Sequence, residues 1–95
     1  TESRRILELC AARGVPVTIG SQYEGGIGAL ATLGFAAAFP ATASRPAELT
    51  NFLDLEDDLL ADPLDVRDGH VAVRAEPGLG GEIDEERLEH HRTDR

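Results

Sequence analysis

Glu24 is the only charged side chain between Arg13 and Arg45, in a chain where 28% of residues carry charge. It closes the polar run Ser21-Gln22-Tyr23-Glu24. Before that run stands a short β-branched stretch, Val15-Pro16-Val17-Thr18-Ile19, and after it a glycine-rich opening, Gly25-Gly26-Ile27-Gly28, of a strongly apolar segment. A carboxylate alone between a strand end and a helix start stands where barrel and open-sheet enzymes gather their catalytic groups. There it can move a proton or stabilise charge that develops on a substrate. Ser21 and Gln22 share the loop and are candidates to touch that substrate. The structural alternative is a loop carboxylate that accepts hydrogen bonds from neighbouring amides or from Ser21. From the residues alone both readings stand.

Other residues invite chemistry less convincingly. Gly26-Ile27-Gly28-Ala29-Leu30-Ala31 has the letters of a dinucleotide fingerprint with alanine for its third glycine. Five residues, Ser21 to Gly25, separate it from the strand, whereas the fingerprint sets its first glycine in the tight turn itself. Nucleotide binding is therefore an alternative, with an anionic group near this helix start as its physical basis. Asp54, Glu56, Asp57 and Asp58 suggest a calcium loop, but Leu59 stands where an EF-hand starting at Asp54 needs glycine. A solvated acidic turn is the simpler expectation. His90 and His91 are adjacent and diverge from a helix, so they do not share one metal and read as an exposed, frayed terminus. His70 reads as a surface residue and Cys10 as a small apolar residue on a helix face. No metal-ligand set is assigned within the chain.

The elements that must position Glu24 follow from periodicity. Residues 1–13 fit a helix with Ile6, Leu7, Cys10 and Ala11 on one stripe. Val15 to Ile19 reads as a short strand buried on both faces of a parallel sheet. A helix from about Gly26 to Phe39 is apolar nearly all round, more than the other elements of 95 residues can enclose. Pro40 ends it, residues 41–46 form a loop, and Phe52, Leu53 and Leu55 suggest another short strand. Asp68-Gly69 between two alternating runs, 64–67 and 70–73, is a hairpin signal. Asp84 is placed to cap a last short helix, with Ile83 and Leu88 as a staple across the cap.

Composition bounds the partners. The formal charge is −9 and every basic residue is arginine, scattered among carboxylates, which disfavours nucleic acid. A single cysteine favours a reducing, cytoplasmic setting. No signal peptide is visible, and the apolar run from Gly25 to Pro40 falls short of the roughly 20 residues that span a bilayer. No membrane role is expected.

Several motifs together carry a resemblance. Ser21-Gln22-Tyr23-Glu24-Gly25-Gly26-Ile27-Gly28 is followed by Asp57-Asp58-Leu59-Leu60-Ala61-Asp62-Pro63, Arg67-Asp68-Gly69, Pro77-Gly78-Leu79-Gly80 and Asp84-Glu85-Glu86-Arg87-Leu88. In order and spacing these resemble the C-terminal end of the mandelate racemase/muconate lactonizing group of the enolase superfamily. The resemblance implies an α/β fold: the closing portion of a modified (β/α) TIM barrel, plus a hairpin and terminal helix that return to a capping domain. Residues 1–56 would supply a late helix, the seventh strand, the following helix and the last strand, near Phe52 to Leu55. Residues 57–95 would supply the return to the cap.

The implied function is metal-dependent isomerisation (cycloisomerase, racemase or epimerase) through an enolate next to a substrate carboxylate. Glu24 aligns with the glutamate beside that carboxylate. The family's base lysines and its ligands for Mg²⁺ or Mn²⁺ lie on earlier strands, and this chain has no lysine. The resemblance therefore implies an enzyme in which these 95 residues need the remainder of the barrel and the cap, act on a carboxylate-bearing small molecule, and belong to a homo-oligomer. A reading of another class remains beside it: a small non-catalytic module that associates through the apolar helix over residues 27–39.

Overall fold

A computed structural model describes residues 1–94. Helix α1 spans Glu2–Ala12, α2 Gly26–Ala38, and α3 is a single turn, Pro40–Ala43. A 3-10 turn covers Asn51–Asp54, a two-stranded antiparallel hairpin pairs β1 (Val66–Arg67) with β2 (His70–Val71), and α4 runs Glu85–His91. The core joins α2, the 3-10 turn, the tail and the hairpin: Ala29, Leu30, Phe52, Leu60 and Leu64, with Ile27, Val66 and Val71 packed on it.

Two expected strands differ. Val15 to Ile19 forms no strand in this chain. Its end makes one parallel bridge, Gly20 to Glu48, in which the Ser21 N–H donates to Glu48 O (2.9 Å) and the Glu48 N–H to Ile19 O (3.0 Å). A strand meant for burial on both faces needs sheet neighbours and covering layers, and Val15 is instead 51% exposed. The segment near Phe52 to Leu55 is the 3-10 turn rather than a strand. Its apolar positions do not alternate: Phe52 turns inward while Leu53 and Leu55 face out, and the Leu53 N–H closes the turn on Thr50 O (2.9 Å). The parallel contact expected of that strand is made a little earlier, at Glu48.

The apolar helix is enclosed on one side only. Ala29, Leu30 and Ala36 are buried, whereas Ala31, Gly34, Ala37 and Ala38 are exposed. The stripe expected on α1 buries Leu7 alone, and Ile6 and Leu9 are each 55% exposed. After Phe39 the chain continues into α3 with Pro40 at its first turn, where a proline is tolerated. Thr42, buried, donates its hydroxyl to Ala36 O (2.7 Å) and Phe39 O (3.1 Å), satisfying carbonyls at the end of α2.

The tail follows its sequence signals closely. Asp68 and Gly69 both have positive φ (50° and 75°), as a two-residue primed hairpin turn requires, and pair Arg67 with His70 and Val66 with Val71. Asp84 caps α4, its carboxylate accepting from the Glu86 and Arg87 amides. An antiparallel bridge between Leu60 and Ile83 is completed by Ala61 N–H to Glu82 O (2.9 Å) and Asp84 N–H to Leu59 O (2.8 Å). Arg74 donates to the carbonyls of Asp62, Pro63 and Gly80, tying both ends of the hairpin connection. His91 is no frayed residue: its Nε2 lies 3.2 Å from Asp57, which also pairs with Arg87.

Leu60 is 1% exposed and central to this core, so Leu60→Ala is expected to destabilise the protein by about 2–5 kcal/mol, read from denaturant unfolding. The hydrogen bond to His91 holds the Asp57 carboxyl below its usual range, helped by the Asp58 amide and the charges of Arg87 and His91, against the cost of desolvation. A depressed carboxyl pKa contributes stability above the ordinary value of 3.8, and that contribution disappears as pH falls through the folded value. Acidification below about pH 4 should therefore lower the urea midpoint more steeply in the parent than in Asp57→Asn; equal slopes would remove Asp57 from the acid sensitivity.

Candidate active site around Glu24

The loop that carries Glu24 is held from three directions. Ser21 is anchored at its start: besides the backbone bridge, its hydroxyl donates to Glu48 O (3.0 Å) and accepts from Asn51 Nδ2 (3.5 Å). Gln22 is exposed. Tyr23, 91% exposed, adopts φ 55°, a left-handed conformation that a bulky residue rarely takes, and this bend turns the chain from the bridge into α2.

Glu24 then folds back over the first turn of α2. A Cβ on Gly28 would lie 3.0 Å from Glu24 Cβ and 3.1 Å from Cγ, so the missing side chain at residue 28 is the space the glutamate uses. Its Oε2 is buried and has no hydrogen-bond partner. A buried carboxylate oxygen without a donor is costly, and such atoms recur where a ligand completes the site.

The start of α2 is held by the tail. Its N-cap residue, Gly25, has no side chain to offer, and the Gly26 N–H donates instead to Asp58 Oδ1 (3.1 Å). The same oxygen accepts from the Leu59 amide (2.8 Å), and the Asp58 carbonyl accepts from Arg87 Nη1 (2.9 Å). A Cβ on Gly26 would collide with the Asp58 carboxylate and with Leu60. The anion at this helix start is thus the chain's own, in the position where a nucleotide phosphate was an alternative expectation.

Ser21, Gln22 and Glu24 share the loop after the Gly20 bridge, in different surroundings. Ser21 is occupied by backbone and Asn51, Gln22 is exposed, and Glu24 holds a buried polar atom without a partner. Asp58, in the stretch expected to be a solvated acidic turn, is instead partly buried and bonded to the Gly26 amide. Gly25 and Gly26 leave the helix start without a capping side chain of its own, a sequence signal that a cap comes from elsewhere but not of which residue supplies it.

A cleft of about 360 Å³ opens beside the helix start, lined by Gly25, Ile27, Gly28, Leu55, Asp57, Asp58, Leu59 and His91. Glu24 is not among these residues. Among the described residues, no three His, Cys, Asp or Glu side chains gather as a metal site, and no helix is long and apolar enough to cross a membrane.

Alanine at residue 28 suits a helix better than glycine by about 1 kcal/mol yet fills the space under Glu24. Gly28→Ala should leave the unfolding midpoint close to the parent's while a crystal structure shows the Glu24 side chain displaced. An unmoved Glu24 would contradict the close packing described here.

Comparisons place this geometry among known proteins. The family model described as enolase C-terminal domain-like matches residues 1–87. An o-succinylbenzoate synthase from Geobacillus kaustophilus is 29% identical over 94 residues, covering 95% of this chain and 24% of the relative. An N-succinylamino acid racemase from Amycolatopsis sp is 32% identical over 79 residues, covering 83% and 21%. The crystal structure of muconate lactonizing enzyme from Mucobacterium Smegmatis, solved also complexed with muconolactone, superposes with a TM-score of 0.93 at 44% identity, over 97% of this chain and 26% of that one. The chain spans about a quarter of the length of these relatives. All are enzymes of the enolase superfamily acting on small molecules, in which this domain is part of a larger barrel, and a divalent metal is typical of that superfamily. By its family match and its shape, the chain belongs to the enolase C-terminal domain-like family.

Proposed function

We propose that this chain forms the closing part of an enolase-superfamily isomerase, with Glu24 as the group that stabilises charge on the substrate carboxylate as the enolate develops. The observation that carries this reading is the buried, unpartnered Glu24 Oε2 at the junction of the Gly20–Glu48 bridge and the start of α2. Two carboxyl groups brought together in a dry site hold a proton between them, because like charges at contact distance do not both ionise. Glu24 and a substrate carboxylate sharing one proton would satisfy Oε2 and draw negative charge off the carbon being deprotonated. Ser21 and Gln22 border the loop, with Ser21 holding its base and Gln22 free to meet the substrate.

Residues 1–56 close the barrel and residues 57–95 return toward the capping domain. The exposed apolar surface of α1, of Val15 and of the outer face of α2 supports this arrangement, since a barrel supplies strands and helices to cover it. The base lysines, and the carboxylates that hold Mg²⁺ or Mn²⁺, belong to the preceding strands, so the 95 residues are inactive without them. The metal supplies electrostatic stabilisation of the enolate when bound. The substrate is a carboxylate-bearing small molecule, as muconate and the N-succinylamino acids are, and the enzyme works in the cytoplasm as a homo-oligomer. The lone free Cys10 suits that compartment.

In the protein that joins this chain to the rest of the barrel, Glu24→Gln should lower kcat for muconate lactonisation or N-succinylamino acid racemisation by about 10²-fold while KM changes less than about threefold. Glutamine keeps the size but has no ionisable carboxyl proton to share. Unchanged kcat would take Glu24 out of the mechanism.

A further inference from the structure

Resting on the reading of Glu24 just given, we infer that Asp58 is a positioning residue: through the Gly26 amide it sets the first turn of α2, and through that turn the Glu24 carboxyl. The cap of α2 comes from 32 residues away rather than from the preceding residue. A local capping side chain at residue 25 would be crowded, because its Cβ would stand 3.3 Å from both Asp58 Oδ1 and Leu55 Cδ1. The first turn of α2 is therefore registered to the tail and not to its own loop.

Asp58 is itself fixed. Its Oδ1 bridges the Gly26 and Leu59 amides, and its carbonyl is held by Arg87, which also reaches Leu60 O (3.3 Å). On the helix side there is no slack, since the space of a Gly26 side chain is filled by Asp58 and Leu60. Two residues further along the same turn, Gly28 carries the Glu24 side chain at close contact. Any shift of the turn away from Asp58 is passed to Glu24 directly, and a misplacement of about 1 Å can lower turnover by about 10²-fold.

The role differs from simple helix capping in one respect: it acts through Glu24. The test is a double-mutant cycle in the barrel-complete protein, with muconate and N-succinylamino acids as probes, using Asp58→Ala, Asp58→Asn and each combined with Glu24→Gln. Asp58→Ala should lower kcat about tenfold or more with KM within about threefold, Asp58→Asn, which keeps an acceptor oxygen, should recover most of the loss, and Asp58→Ala should change kcat less than about twofold once Glu24 is glutamine. Equal losses in both backgrounds would overturn the inference and leave the function of Glu24 intact. A fully active Glu24→Gln would overturn the functional reading instead.

A second readout needs no substrate. In Asp58→Ala the amides of Gly26 to Gly28 should exchange faster and the Glu24 carboxyl carbon resonance should shift, both returning in Asp58→Asn. A Glu24 resonance unmoved by Asp58→Ala would overturn the positioning role.

Discussion

An α-helix begins with amide groups that have no partner within the helix, and α2 begins on glycines that offer no side chain to satisfy them. Burying that helix start therefore depends on a donor-acceptor pair made elsewhere, and Asp58 makes it. Much of the tail can be read from this requirement. The Asp58 carboxylate is aimed by the Leu59 amide, its carbonyl is gripped by Arg87, Arg87 is set by the Asp84-capped α4, and α4 is joined to residues 59–61 by the short antiparallel bridge. A neutral hydrogen bond contributes only about 1 kcal/mol net, but a buried amide left unmade costs more, and a charged acceptor strengthens the bond. The tail also buries Leu60 and Leu64 against α2, so polar and apolar contacts fix the same register.

Glu24 sits where the two halves of the chain meet: the bridge to Glu48 behind it, the tail-held helix start in front. That position explains its geometry without invoking strain beyond the left-handed Tyr23 in its own loop. It also explains why the cleft visible beside α2 is not its pocket. In a (β/α) barrel the mouth is built by loops from several strands, and on the proposed reading Glu24 takes its place among such loops. The membership of the chain in the enolase C-terminal domain-like family and its uncovered apolar faces point the same way.

Local rules were legible where local physics decides. The Asp68-Gly69 turn, the Asp84 cap and the span of α2 follow from conformational and capping preferences that a few residues carry by themselves. Strands were the weak point. Val15 to Ile19 has the composition of a buried strand, but strand identity lies in the ladder, and among the described residues this stretch leads into a single bridge, Gly20 to Glu48. Phe52-Leu53-Asp54-Leu55 offered apolar residues without alternation, and a 3-10 turn buries Phe52 better. In the site, the lone charge of Glu24 was enough to single it out. Asp58 and His91 were not recognisable, because their partners, Gly26 and Asp57, are more than 30 positions away.

On the proposed reading, a tail-anchored helix start presents Glu24 to a substrate carboxylate. A crystal structure of the barrel-complete protein with muconolactone bound tests this. Glu24 Oε2 should lie within hydrogen-bonding distance of the ligand carboxylate, with the Gly26 amide still on Asp58. A ligand bound with Glu24 turned from it, or a first turn of α2 detached from Asp58, would contradict it.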